Sequence, residues 1–372
     1  MTLKLINTSS RKRKIQSEKL LWPKNIGKKI YKGFSDKEIK FLCSWDINKY
    51  DAELFNQNIP RLYMRTELYS FGRCLRDWLN LPNWFPLPIY GDHGITRKKN
   101  LARHEIEAKP LVHFTSDGFR AKELAKKYKK KIILHIPHPW ITFRKLYNIK
   151  KKKDAKGTLI FLPHSNPQIK IINYNFDKYF SEIKKLPKKY YPLIICLQRN
   201  DATEENILKF RKYNLPIISA GEVTSAHYVE RFYSMISRFN FATSNRGGSE
   251  LFYCEELGVK FFLKGKIPKY YNFSHEQWPK GFVNLKNNYE KNYQLKKSIF
   301  YEFPPKNNLE KKKFVNKILG LDINVELSRK KLIFHLKKEL FRHIHLIPMF
   351  LIKVFYVRLK YYLIKNLRRN IY

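Results

Sequence analysis

The stretch Phe241–Leu263, FATSNRGGSELFYCEELGVKFFL, decides the fold. It opens on a short apolar run, passes through a polar glycine turn at Ser244–Gly248, continues at helical spacing to Gly258 and closes on a second apolar run. That order predicts strand, loop, helix, strand. Asn245 is placed to cap the helix, and Gly247 and Gly248 let backbone approach a ligand where a side chain would clash. The open N–H groups and dipole of such a helix start attract phosphate, with hydroxyls from Ser244 and Ser249 and the Arg246 guanidinium as further donors. Glu250, and Glu255 or Glu256 one turn on, are spaced to reach a sugar or ribose hydroxyl. The plainer alternative is a strand-to-helix turn whose polar residues only cap and solvate it.

The same rhythm precedes this stretch. TLIFLPHSNP from Thr158 reads as a strand ending in His164, Ser165 and Asn166, further phosphate candidates, and NFDKYFSEIKKLP as a helix. YPLIICLQRND, TEENILKFRKYN and LPIISAGE then read as strand, helix and strand. The last ends at Gly221 and Glu222, and Glu222 suits ribose or base recognition or a helix cap. SAHYVERFYSMISRF is a helix. Several βα units in succession predict a compact doubly wound α/β domain.

Before it, the lysine run IKKKKDAKG from Ile149 to Gly157 marks a linker or exposed crossover, because a block of like charge does not enter a core. Upstream of the run, EIKFLCSWD reads as a first strand and Leu68–Leu79 as a helix. IYGDHGI, KPLVHFTSDG and KIILHIPHPW read as strands, with the amphipathic FRAKELAKKYKK between the last two. Their polar ends place Asp92, His93, Ser116, Asp117, His135 and His138 at the carboxyl edge of an open sheet, where such sheets bind ligands. The expected divisions are a basic arm over 1–35, a Rossmann-like domain over 36–150, a second over 151–290 and a basic helical tail over 291–372.

Composition sets the outer limits. With 372 residues, 43% of them hydrophobic, the chain has material for one large core or, more in keeping with its pattern, two. A formal charge of +44 points to an anionic partner, such as nucleic acid, an acidic membrane face, a phosphorylated glycolipid or a nucleotide. Abundant Lys, Asn, Ile, Tyr and Phe also look like the codon bias of an AT-rich genome. Four scattered cysteines with no CxxC exclude a disulfide framework or zinc site as the organising principle and suit a reducing cytoplasm. His135 and His138 point to opposite faces of a strand and do not make a metal pair. No apolar signal core or spanning run is present. In the tail, Lys353, Arg358, Lys360, Lys365 and Arg368 fall on about half of a helical wheel, with Phe350, Ile352, Phe355, Tyr356, Leu359 and Leu363 mostly elsewhere. That basic amphipathic surface suits an anionic bilayer, or else packs its apolar side on the protein. The aromatic-basic segments KYYNF and VFYVRLKYY would also stack on unpaired bases, but no RNA-binding motif accompanies them.

Two α/β halves, a linker and C-terminal helices resemble the GT-B arrangement of nucleotide-sugar glycosyltransferases. Residues 155–265, through GTLIFLPHSNP, ERFYSMISRFNFATSN and GGSELFYCEELGVKFFL, are similar to glycosyltransferases of bacterial surface-polysaccharide (O-antigen and capsule) clusters; the first half is similar through GDHG and the HIPHP strand. TSDG at 115–118, PHS at 163–165 and TSN at 243–245 also resemble, in order, the motifs of bacterial sialyl- and Kdo-transferases, although Ser165 stands where their proline follows the histidine.

The resemblance implies sugar transfer from a nucleotide-sugar donor, held by the second domain, to a lipopolysaccharide, O-antigen or capsule acceptor at the cytoplasmic face of the membrane. It implies no metal or other cofactor, in keeping with the absence of a convincing DxD. Such transfer needs a base for the acceptor hydroxyl and donors for the departing phosphate. Asp92, His93 or Asp117 is the expected base. The alternatives are a CMP-Kdo or CMP-sialic acid transferase and, outside enzymes, an RNA-binding or scaffold protein.

Overall fold

The computed structural model describes residues 64–356 and 359, apart from 93, 166–167, 199–200, 222, 224, 274–279, 283–299, 301–302 and 306–307. The basic arm, the strand expected at 38–46, and the site candidates His93, Asn166 and Glu222 therefore lie outside the described residues.

The chain enters through α1 (Phe71–Leu79), which buries Phe71, Cys74, Leu75 and Trp78. Strands β1 (Tyr90–Gly91), β2 (Val112–Thr115) and β3 (Ile132–His135) form a parallel sheet, with α2 (Gly118–Lys127) between the last two. The segment read as strand through His138 and Pro139 instead breaks after His135 and starts α3 (Pro139–Leu146). Proline suits a first helical turn because its missing N–H would have no partner there, and the His138 ring accepts from the Trp140 amide as cap.

Next come β4 (Thr158–Phe161), β5 (Ile169–Ile172), α4 (Phe176–Lys184), β6 (Leu193–Cys196), α5 (Glu204–Arg211), β7 (Ile217–Ile218), α6 (Tyr228–Ile236), β8 (Phe241–Ser244), α7 (Ser249–Leu257) and β9 (Lys260–Leu263). Five of these strands make a parallel sheet in the order β7-β6-β4-β8-β9, which in order of appearance within the sheet is 3-2-1-4-5. That is the order of a nucleotide-binding doubly wound sheet, and its switch point lies between β4 and β8. The protein is thus mixed α/β with parallel sheets.

A third, antiparallel sheet was not anticipated. It pairs β5 with β10 (Lys269–Asn272) and β10 with β11 (Gly281–Phe282). The KYYN segment read as a base-stacking surface is β10, and Tyr270 and Asn272 are buried in it. The other such segment, 354–362, lies largely outside the described residues.

Two buried apolar clusters form, but they do not divide one to each parallel sheet. The larger runs from Phe71, Trp78 and Phe143 through Phe161, Phe232 and Tyr253 to Val315 and Leu332; the smaller holds Phe180, Tyr190, Phe210 and Phe262. Apolar faces of α3 and α7 join the two sheets: Trp140 lies 4.4 Å, ring centre to ring centre, from Tyr253. Polar contacts follow the same seam. The Tyr253 hydroxyl meets His138 Nε2 at 3.0 Å, and Arg73 donates to Glu230 at 2.5 Å. Burial pushes the His138 pKa down to about 3, so this ring is neutral and structural.

The lysine run is not an open linker. Ile149 and Ala155 are buried, and the Lys152 and Lys156 amides donate to Ser237 and Arg238 carbonyls. The lysines can follow this course because their charged ends stay at the surface. At its end Gly157 holds φ +75°, and a Cβ there would lie 2.3 Å from the Pro192 carbonyl oxygen. Gly157→Ala is expected to lower stability by about 2–5 kcal/mol, from left-handed strain plus overpacking, in a urea unfolding curve.

Beyond the sheets, α8 (Leu309–Ile318) and α9 (Val325–Arg342) return to the first sheet. Leu332 and Leu336 are buried, Glu339 accepts from the Leu111 amide at 2.9 Å, and Arg329 donates to the Trp78 carbonyl. This part of the expected membrane-facing tail therefore packs on the protein. The helix over 347–356 buries Phe350 and Val354, while Ile352 and Phe355 are each 69% exposed.

Candidate functional site

At the switch point, the carboxyl ends of β4 and β8 lie side by side, with Phe161 paired to Ser244. Their loops therefore place His164 and Ser165 next to the Asn245–Ser249 turn. Gly247 sits at φ +68°, in the left-handed region that favours glycine, and the N-cap of α7 is Gly248.

The turn's own polar groups are disposed differently from their expected roles. Asn245 does not cap α7. It is fully buried, its amide donates to the Tyr174 hydroxyl at 2.6 Å, and its Oδ1 has no partner among the described residues. Ser244 Oγ turns into the loop, 3.4 Å from the Arg246 amide and 3.5 Å from that of Gly247. Glu250 folds back so that its carboxylate accepts from the Gly248 amide at 2.6 Å, where it fills the place of an anion at the helix start. Glu255 and Glu256 do not face this site. Glu255 accepts from the Phe261 amide and pairs with Lys311, and Glu256 pairs with Arg144.

The opposite wall comes from the loop after β1. Ser249 Oγ accepts from the Ile95 amide at 2.9 Å, which fixes that loop against the start of α7. Three basic groups converge where the walls meet. Burial pushes the Lys98 pKa down to about 8; Glu105 opposes the shift, and Arg120 and Arg246 add to it. Burial and Arg246 likewise lower the His164 pKa. His164 itself is exposed. Like charges held close enough to depress one another's protonation are relieved by a bound anion. Arg246 also stacks over Tyr270 of β10, 4.9 Å from the ring centre, so the added sheet helps to aim it.

Two expected bases can be compared. Asp92 is buried, with both oxygens receiving Arg120 Nε at 2.9 Å and Oδ1 also meeting His113 Nε2 at 3.0 Å. Burial alone would raise its pKa, but His113 and Arg120 outweigh that and hold it at about 2, too low for a proton acceptor near neutral pH. Asp117 is buried too; it caps α2 through the Phe119 amide at 2.9 Å and pairs with Arg97 Nε at 2.7 Å. Burial raises its pKa despite Arg97. Asp92, Glu105 and His113 come close enough together to hold a metal, but Arg120 occupies the space, 2.8 Å from Asp92 and 3.5 Å from Glu105.

Sequence reasoning missed Lys98 and Arg97, which sit in the polar run TRKKN and carry no pattern of their own. It also missed Asp201, whose carboxylate accepts from the Ser165 amide at 3.2 Å from each oxygen.

No protein-family model matches the chain, and no curated protein matches it. Among solved structures it is similar to S. aureus MnaA in a co-structure with UDP, at 12% identity and a TM-score of 0.35 over 68% of this chain and 67% of that one. It is also similar to the wall teichoic acid polymerase TagF, at 11% identity and a TM-score of 0.29 over 69% of this chain. The alignment spans 63% of the polymerase, less than two thirds of its length. Both scores lie below 0.5, and neither likeness assigns a substrate or a reaction to this chain.

Proposed function

We propose that the protein is a glycosyltransferase of GT-B arrangement, with residues 36–150 as the acceptor domain and 151–290 as the nucleotide-sugar donor domain. One observation carries the reading: the switch point of the 3-2-1-4-5 sheet sets His164, Arg246 and the Gly247–Gly248 turn together, and Lys98 of the first unit faces them. An anionic phosphate ester meets cations and backbone amides there, as the departing nucleotide of a sugar transfer requires. Binding would displace the Glu250 carboxylate from the Gly248 amide. Asp117, whose raised pKa suits a base better than that of Asp92, takes the acceptor hydroxyl proton in this scheme. The cationic groups make metal-free transfer chemically reasonable.

The acceptor in this reading is lipid-linked lipopolysaccharide, O-antigen or capsule, met at the inner face of the cytoplasmic membrane. Support comes from the exposed Ile344, Ile352, Phe355 and Tyr356 beside Lys353. Among the described residues no helix is long and apolar enough to cross a membrane. Removing residues 344–372 is expected to release the protein from phosphatidylglycerol vesicles while α9 keeps its packing. Unchanged sedimentation with the vesicles would overturn that assignment.

Thermal unfolding with UDP, GDP, CMP and an RNA oligomer tests the reading as a whole. One nucleotide at about 100 times its Kd should stabilise the protein by about 3 kcal/mol, and His164→Ala should remove the shift. A shift with RNA alone, steeply dependent on salt, would favour nucleic-acid binding instead.

A further inference from the structure

Beside the phosphate cradle lies a cavity of about 310 Å³ that the phosphate itself does not fill. Its floor is apolar, from Leu162 and Leu197 at the ends of β4 and β6. Its polar lining is Ser165, Asn173, Tyr174, Asp201, Asn206 and Lys209. Cavity and cradle share a wall. Ser165 lines the cavity and gives its amide to Asp201, and Tyr174 lines it while its hydroxyl accepts from Asn245. A ligand held by phosphate at the turn thus has a compartment next to it.

The lining selects among ligand chemistries. Of the aromatic residues in the lining, Phe176 meets Tyr174 and Phe210 at steep angles with ring centres 4.9 and 5.2 Å away, and the Lys209 ammonium stands 5.0 Å from its ring centre, which leaves little of this ring for stacking a base. A volume near the lower end of ligand pockets suits one saturated ring. One carboxylate, two carboxamides, a phenol, a serine hydroxyl and one ammonium offer acceptors and donors together, which matches hydroxyl groups that both give and take hydrogen bonds. Burial pushes the Asp201 pKa up to about 6, against the opposing effects of the Ser165 amide and Lys170, so the group is an ionised acceptor at neutral pH that protonates in mild acid.

We propose that this cavity seats the sugar ring of the nucleotide-sugar donor, with ring hydroxyls donating to Asp201 and meeting the side-chain amides of Asn173 and Asn206. The assignment rests on the donor-binding reading above and adds to it where the sugar lies and what selects it.

The test pairs each free nucleotide with its sugar ester in calorimetric titrations: UDP with UDP-glucose and UDP-N-acetylglucosamine, GDP with GDP-mannose, and CMP with CMP-sialic acid. The wild type should bind one sugar ester roughly tenfold or more tighter than its free nucleotide, the scale of a hydrogen bond to a charged group. Asn206→Ala, checked for folding by circular dichroism, should bind the free nucleotide as the wild type does and lose much of that increment, and Asp201→Asn should lose the increment relative to its own affinity for the free nucleotide. On lowering the pH from 7.5 to 5 the increment should shrink in the wild type and stay absent in Asp201→Asn. Variants that retain the increment, or that weaken nucleotide and ester equally, overturn the sugar assignment and leave the donor reading standing. Failure of every nucleotide to bind overturns both.

Discussion

Arg120→Met is expected to destabilise the protein by about 3–5 kcal/mol, the cost of leaving a buried carboxylate without its cation. The Asp92 and Arg120 side chains are 8% and 1% exposed, and the guanidinium also reaches the Asn100 carbonyl and the Glu105 carboxylate, so one side chain ties α2 to the end of β1 and to the 98–105 segment. Methionine keeps most of the volume and removes the charge. The pH dependence identifies the cause. Because the Asp92 pKa is depressed in the folded state, its contribution is present above the ordinary carboxylate pKa of about 4 and is lost as pH falls through about 2. In Arg120→Met the carboxylate keeps His113 but loses its guanidinium partner, its pKa rises, and stability should instead improve on acidification from pH 7 towards 5. Urea unfolding at several pH values measures both. A loss under 1 kcal/mol, or an unaltered pH profile, would show that the pair is not the fastening described.

Arg246→Met should weaken nucleotide binding about 10- to 100-fold with little change in thermal stability, because a hydrogen bond to a charged group contributes about 1.5–3 kcal/mol. The side chain lies over Tyr270 and close enough to His164 and Lys98 to lower both their pKa values. Two further consequences separate an electrostatic role from a packing one. The Lys98 pKa should rise in the variant, since one of the cations depressing it is gone. The salt dependence of nucleotide binding should also flatten, because fewer fixed charges face the phosphate. Unchanged affinity would remove Arg246 from the cradle.

The second sheet was legible because its strands are short apolar runs, and β6, β7 and β8 each lead through a polar turn into a helix of different period. The turn between β8 and α7 was placed on the same ground. Asn245 was misjudged because residue type suggests a cap, whereas the turn runs on to Gly248 before α7 begins and buries Asn245 against Tyr174. HIPHPW looks like strand on apolarity alone, and only the chain reversal after His135 shows that Pro139 opens a helix. The antiparallel sheet pairs Ile169–Ile172 with Lys269–Asn272, a register that no local pattern announces. Lys98 and Asp201 acquire their character first from burial, which depends on chain far from each; Arg246 adds to the Lys98 shift, and the Ser165 amide opposes that of Asp201. Asp92 ends its strand like a catalytic residue but is bound by Arg120, which stands on α2.

The central claim is that a nucleotide phosphate is held by the backbone from Asn245 to Ser249. Amide hydrogen exchange with and without the nucleotide that stabilises the protein tests it most directly. Slowed exchange confined to residues 244–251, 162–165 and 95–98 is the predicted result. Saturating binding with exchange in all three segments unchanged, or with protection only on the far edge of the sheet near Lys260–Leu263, would contradict it.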